Sequence, residues 1–446
     1  MKTINDDLNI QRFLNYLGDN ANLKSLTTNI DNNRAPVHRW FPFLAGFSHK
    51  LVEETLKYFC MSDNGSTLFD PFMGSGTTGV VSKEFCVDVI GNESNVFLYE
   101  ICKLKTNTNV NPDQIMTLGK QILKEASSRW KNIDTERENP LLMRCYPESN
   151  LKKLVTLREL LNLSQDIPQE YKQYLSLAIT MSLSKSAKVG INIPYVSWSH
   201  ERVPEETFLL FKKNVHMIEE DLNKIFRFNR SSTEVKLYLH DSRTENREIK
   251  NRSVDMIFTS PPYLNNLDYG EAFRVFLYFW KIAENWSEIT KKIRNRAMVS
   301  STTYYSEKNF ASKSPEDILG NDIINNMPTI AEELINKIGL ISAEKHKRKS
   351  KKSFDILTAL YFKDISCVME EMHRVLKKNA LAFIVIGDSA PYGVHIPTDT
   401  LLGEMAVGLG FSSYTLRPLR VRGFKWDTLK YRHNKKLRES LLILRR

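Results

Sequence analysis

One stretch near the N-terminus restricts the fold more than any other. Thr67-Leu68-Phe69-Asp70 reads as a short apolar strand, Pro71-Phe72-Met73-Gly74-Ser75-Gly76-Thr77-Thr78-Gly79 as a glycine-rich loop, and Val80–Phe85 as a helix. Val87-Asp88-Val89-Ile90-Gly91-Asn92-Glu93 follows as a second strand that ends in an acid. The order strand, Gly loop, helix, strand is the first half of a nucleotide-binding α/β unit.

The string Gly74-Ser75-Gly76-Thr77-Thr78-Gly79 satisfies GxGxxG, which by itself fits a tight strand-to-helix turn or a dinucleotide fold. No Gly-Lys-Ser/Thr follows, so a Walker loop is excluded. Asp70 stands before the glycines, where a carboxylate would repel a pyrophosphate but accept from an ammonium or a ribose. The implied ligand is therefore cationic or neutral, as in S-adenosylmethionine. Glu93, 17 residues after Gly76, is placed to accept from both ribose hydroxyls, and Asp241, ending the later strand Val235–Leu239, from an adenine amino group. The usual place of a lone acid at a strand end is solvent; three acids ending three successive strands argue for a site.

A second stretch lies far away in sequence. The apolar run Val254–Phe258 stops in Thr259-Ser260-Pro261-Pro262-Tyr263. Two prolines remove two backbone donors, fix φ twice and hold the preceding residue extended. The product is a stiff corner presenting a hydroxyl, free carbonyls and an aromatic ring.

Together these stretches resemble the amino-methyltransferases that modify exocyclic nitrogens of nucleic-acid bases. Asp70-Pro71-Phe72-Met73-Gly74-Ser75-Gly76-Thr77-Thr78 is similar to that family's cofactor motif, and Thr259–Tyr263 to its catalytic motif. His38–Phe59 looks like the segment that closes over the methionine end of the cofactor, which brings Phe41 among the cofactor contacts. The resemblance covers residues 36–100, 234–280 and 360–446. It implies S-adenosylmethionine as cofactor, held by Phe41, Asp70, Pro71, Phe72, Gly74, Ser75, Gly76, Thr77, Thr78, Glu93, Asp241 and Ser260. It implies catalysis by Ser260, Pro261, Pro262 and Tyr263.

The chemistry agrees with the resemblance. An exocyclic amine is a poor nucleophile because its lone pair is delocalised into the ring. Acceptors aimed at its two hydrogens, here the Ser260 hydroxyl and the Pro261 carbonyl, favour a localised lone pair. Transfer is then an in-line displacement governed by proximity and orientation. A duplex base is out of reach, so the target is expected to flip out and stack on Tyr263. Phe276, Tyr278 and Phe279 are candidates for the opposite side, although aromatic runs at helical spacing belong more often to a core. In the family, Asp or Asn at the Ser260 position usually accompanies adenine N6 methylation and Ser accompanies cytosine N4 methylation. Methylation at cytosine C5 needs a nucleophilic cysteine, usually after proline, and none of the five cysteines follows one. The expected reaction is therefore methylation of cytosine N4 in double-stranded DNA. Adenine N6 and an RNA base amine are the rivals within the enzyme class, and a non-catalytic DNA-binding module is the rival outside it. A cognate restriction endonuclease acting on the same site can accompany such an enzyme.

The expected architecture is α/β, a Rossmann-like seven-stranded methyltransferase sheet with helices on both faces and two insertions. Residues 1–95 hold an N-terminal arm, irregular over 1–35, and the cofactor half of the core. Residues 96–233 read as a helical insertion without strand alternation, 234–285 as the catalytic part and 356–446 as the C-terminal part of the core. An aromatic-rich helix is expected over Glu271–Glu284. Residues 286–355 read as a polar insertion and candidate target-recognition region. It closes on Lys345, Lys347, Arg348, Lys349, Lys351 and Lys352, candidate DNA contacts whose ordinary alternative is a solvated loop. Arg417, Arg420, Arg422, Lys425 and Trp426 are placed to line the cleft beside the last strands. The formal charge of +11 suits an anionic partner. Five scattered cysteines without a CxxC or Cys/His cluster imply neither a disulfide framework nor a metal site. The polar start Met1–Asp7 and the lack of any apolar run near the roughly 18 residues of a membrane span suggest a cytoplasmic protein with no membrane partner.

Overall fold

The computed structural model describes residues 8–20, 26–59, 61, 65–107, 109–226, 233–310, 312–422 and 436–446. Its strands are β1 (Thr67–Asp70), β2 (Asp88–Asn92), β3 (Val189–Ile193), β4 (Tyr195–Glu201), β5 (Val235–Tyr238), β6 (Val254–Thr259), β7 (Leu376–Gly387), β8 (Ser413–Arg422) and β9 (Leu437–Arg445). Seven of them form one sheet in the order β5-β2-β1-β6-β7-β9-β8. Pairing is parallel from β5 to β7 and antiparallel where β9 enters between β7 and β8. This is the seven-stranded sheet expected from the sequence. The all-apolar text of β7 follows from its place at the centre, where Ala382 to Ile386 are buried on both faces.

The step that builds the site is the pairing of β1 with β6. Leu68 lies opposite Met256 and Phe69 opposite Ile257, so strands almost 190 residues apart end side by side. Parallel neighbours end at the same edge of the sheet, where ligand sites of open α/β sheets gather.

The N-terminal arm departs from expectation. Leu8–Asn20 is a helix with Ile10, Phe13, Leu14 and Leu17 buried. That i, i+3, i+4, i+7 spacing is the mark of an amphipathic helix, diluted in the text by the Asn and Asp around it. Phe13 packs its ring 5.6 Å from that of Phe383 on β7 and 5.1 Å from Phe59.

The segment 96–233 is helical, with Pro112–Arg129, Glu148–Leu163, Gln169–Ser186 and Thr207–Phe226 packed together. The expectation of no strand fails at one place, the hairpin β3–β4. Buried Asp221 ties the segment to the aromatic knot: it accepts from the Val37 N–H, the Arg39 guanidinium and the Trp40 indole. Arg158, equally buried, donates to Glu138 and to the Phe279 carbonyl. The helix expected over Glu271–Glu284 is broken into Tyr269–Ala272 and Arg274–Phe279, and Phe276, Tyr278 and Phe279 are core.

Residues 286–355 are largely helical. Pro328–Lys347 buries Ile330, Ala331, Leu334, Ile338 and Ile341 in the cluster that also holds Leu357 and Phe362 of the helix Phe354–Val375. The polar residues between these apolar positions concealed the helical period.

Candidate active site

The glycine loop is set by what surrounds it. Gly74 and Gly76 have φ of +54° and +88°, a region costly for other residues. A Cβ on Gly74 would lie 3.2 Å from the Phe43 ring, and one on Gly76 3.0 Å from the Cys102 sulfur. Ser75, Thr77 and Thr78 are buried in the turn, and the Pro71 carbonyl accepts from the Ser242 hydroxyl at 2.7 Å.

Asp70 is turned inward. It has no exposed surface and accepts from the Phe72 N–H at 2.9 Å, the Thr78 hydroxyl at 2.7 Å and the Thr259 hydroxyl at 2.6 Å. Burial raises its pKa to about 6 against those three donors. It thereby joins the glycine loop to the proline corner, since Thr259 opens Thr259–Tyr263.

Glu93 fits the expected position better. Its two oxygens accept from the N–H groups of Gly74 (2.7 Å) and Asn95 (2.8 Å), and burial raises its pKa to about 7. Phe43, Phe72, Gly74, Glu93, Asn95 and Ser260 line one cavity. Asn95 Nδ2 is buried there without a hydrogen-bond partner. Such an orphaned donor beside a carboxylate suits a ligand that carries hydroxyl or carbonyl oxygens.

Two expected contacts are elsewhere. Phe41 is core, edge-on to Phe97 at 5.5 Å and to Phe276 at 5.6 Å; Phe43, two residues on, is the aromatic that reaches the cavity. Asp241 is held in a fork by Arg243, with its nearest contact at 2.6 Å, and Arg243 bridges on to Asp364. The alternation of aromatics in Phe41-Pro42-Phe43 gave no means of telling inward from outward. The partner of Asp241 stands only two residues away, a local pairing that the text already contained.

At the corner, the Ser260 hydroxyl donates to the Val385 carbonyl at 3.0 Å. The Ser260 side chain also interacts with the Tyr263 hydroxyl, and it lines the cavity. Tyr361 donates to the Pro262 carbonyl at 3.1 Å, which braces the two prolines. Tyr263 faces two further cavities, one lined by Phe47, Ser48, Pro261, Arg420 and Glu439, the other by Pro194, Tyr195, Asn266 and Asp388. The hairpin missed in the sequence therefore reaches the site through Tyr195, whose hydroxyl accepts from the Asp268 N–H at 3.0 Å.

The basic run lies apart from this corner, at the end of Pro328–Lys347. Lys345 bonds Ser353 and pairs with Glu307 at 3.6 Å; Arg348 pairs with Glu344 at 3.1 Å. Lys347, Lys349, Lys351 and Lys352 are exposed. Lys425 and Trp426 fall outside the described residues.

One cavity thus joins the glycine loop, Glu93 and the Ser260 corner. A profile of the DNA methylase family matches residues 20–104, which contain the glycine loop and Glu93. The chain is similar there to DNA methylases, and over most of its length to the Type II methyltransferases that follow. The Type II methyltransferase M.BsoBI of Geobacillus stearothermophilus is 23% identical over 445 residues, spanning 88% of this chain and 82% of the relative. M.MvaI of Kocuria varians is 23% identical over 437 residues (91% and 85%), and M.AvaI of Nostoc 21% over 430 (90% and 85%). Coverage of that extent reaches into both insertions, 96–233 and 286–355. Among the described residues, no helix is long and apolar enough to cross a membrane.

Proposed function

We propose that this methyltransferase transfers a methyl group from S-adenosylmethionine to the N4 amine of a flipped-out cytosine within a short recognition sequence of double-stranded DNA. What supports the choice of base is the residue type at position 260, a serine, which the family resemblance ties to cytosine; its hydroxyl donates to Val385 and so offers lone pairs to an amine. The corner has no carboxylate or amide side chain at that position. S-adenosylmethionine supplies an activated methyl group on a sulfonium. Phe72 and Phe43 offer it apolar faces, Gly74 close backbone approach, and Glu93 and Asn95 an acceptor and a donor for its hydroxyls. Ser260 and the Pro261 carbonyl accept from the two amine hydrogens, and Tyr263 stacks on the base. Glu93, ionised, also favours a cationic ligand over a pyrophosphate.

The Type II designation of the relatives supports work alongside a restriction endonuclease of the same specificity in the cytoplasm. Exposed Lys347, Lys349, Lys351 and Lys352 are proposed phosphate contacts, and β3–β4, beside the mouth at Tyr263, a proposed DNA contact of the helical segment. Nucleoside mass spectrometry of DNA from cells expressing the protein tests the reading. N4-methylcytosine is expected; N6-methyladenine without it would overturn the choice of base.

A further inference from the structure

Beside the catalytic corner lies a contact that the reaction as described does not use. Gly387 ends β7, and a Cβ there would meet Arg422 Nη2 at 2.2 Å and Tyr263 Cδ2 at 2.9 Å. Only glycine leaves room for both. The Arg422 guanidinium carbon stands 5.1 Å from the centre of the Tyr263 ring, and Nη2 donates to the Asp388 carbonyl at 2.9 Å. The nearest carboxylate is already engaged: Glu439 accepts from Arg420 at 2.8 and 3.0 Å, while Arg422 Nε is 3.9 Å away. Arg422 Nε is buried and has no hydrogen-bond partner. A buried, charged donor left unmade is costly and calls for an explanation. Arg422 also lines both cavities that meet at Tyr263.

We propose that Arg422 reads the flipped base, donating to N3 and O2 of the cytosine whose amine is held at Ser260. The inference rests on the cytosine reading above and assigns the residue that enforces it. Ser260 is anchored on Val385 and Arg422 on Gly387 and Asp388 of the same segment. Two strand residues span roughly 6.6 Å, comparable to a base edge with its hydrogen bond. Along that edge cytosine offers an amine, then a ring nitrogen, then a carbonyl oxygen. Adenine offers an amine, a ring nitrogen and then a C–H. One of the five guanidinium N–H groups is spent on Asp388, and the rest form a planar fork that meets two acceptors on cytosine and one on adenine. The Arg420–Glu439 pair lies two register steps away on β8 and β9, with the Glu439 carboxylate 3.9 Å from Arg422 Nε.

The test uses the full-length enzyme and two duplexes carrying its recognition sequence, one with the target cytosine and one with 3-deazacytosine, which lacks the N3 acceptor. In the wild type the analogue is expected to lower kcat/KM for methyl transfer by roughly 10- to 100-fold. Arg422→Ala is expected to lower transfer to cytosine by a similar factor and to erase the further effect of the analogue, with S-adenosylmethionine affinity kept within twofold. Arg422→Lys, which keeps the charge and loses the fork, is not expected to restore discrimination. An equal analogue effect in wild type and Arg422→Ala overturns the proposal, as does parallel loss of cofactor binding and transfer. If the wild-type product is N6-methyladenine, the cytosine reading itself fails, a result distinct from either of these.

Discussion

A serine hydroxyl accepts only through the lone pairs that its own proton leaves free, and at Ser260 the structure determines where that proton goes. With the hydroxyl donating to Val385, Ser260→Ala removes one acceptor proposed for the target amine and leaves the proposed cofactor contacts at Gly74, Glu93 and Asn95 in place. Transfer should slow by roughly 10²- to 10³-fold, as when one preorganised polar contact to a reacting centre is deleted, with cofactor affinity unchanged. Single-turnover transfer beside equilibrium binding checks this. Glu93 sets a pH dependence. Its pKa is raised to about 7 by burial, so it ionises in the folded protein only as the pH climbs through that value. Cofactor affinity should therefore rise several-fold between about pH 6 and 8 in the wild type and stay flat in Glu93→Gln, measured by titration calorimetry. Stability moves the other way. The folded chain holds the Glu93 proton, and that of Asp70 near 6, more tightly than the unfolded chain does. Their contribution is full below the ordinary carboxylate range and falls as pH rises to about 7. The identities of these residues were readable in the sequence; their directions were not. Asp70 and Glu93 both end strands, yet one is spent on Thr78 and Thr259 while the other lines a cavity.

Elements with a strong period were legible, and those whose period was masked by polar neighbours were not. The strands β1, β2, β5, β6 and β7 announced themselves by short apolar runs ending in turn signals, and the helix Thr398–Gly408 by its unbroken apolar face. Leu8–Asn20 did not, since its four buried positions sit among Asn, Gln, Arg and Asp. Its packing is nonetheless substantial: Phe13→Ala should destabilise the protein by about 3–5 kcal/mol in chemical denaturation. β3–β4 was missed for a different reason. Its residues Tyr195–Glu201 are half-exposed or exposed, so no alternation of buried and open positions marks them. Tertiary bonds such as Asn192 to the Pro42 carbonyl and Asp268 to Tyr195 hold the hairpin in place.

At the scale of the molecule, the formal charge of +11 suits the proposed polyanionic substrate, which would be met first through its phosphates. Affinity for duplex DNA should fall by about 10³-fold or more between 50 and 200 mM salt, as measured by fluorescence anisotropy. Replacing Lys347, Lys349, Lys351 and Lys352 together by Ala should reduce the slope of log K against log salt while leaving the modified base unchanged. A full slope in that variant would remove this face from the interface. The sequence alone determined the α/β class, the glycine loop and the proline corner, because each is written in contiguous residues whose local conformational limits are strict. Tertiary structure decided which groups meet. Thr259 reaches Asp70 only because β6 pairs with β1, and Phe43 replaces Phe41 only because Phe41 is claimed by the core. Arg422 lies on Tyr263 because β9 enters the sheet antiparallel and carries β8 back towards β7. Those contacts span from about 55 to about 235 residues of chain, and no local preference encodes a pairing at such distance: it is fixed by which apolar faces bury together.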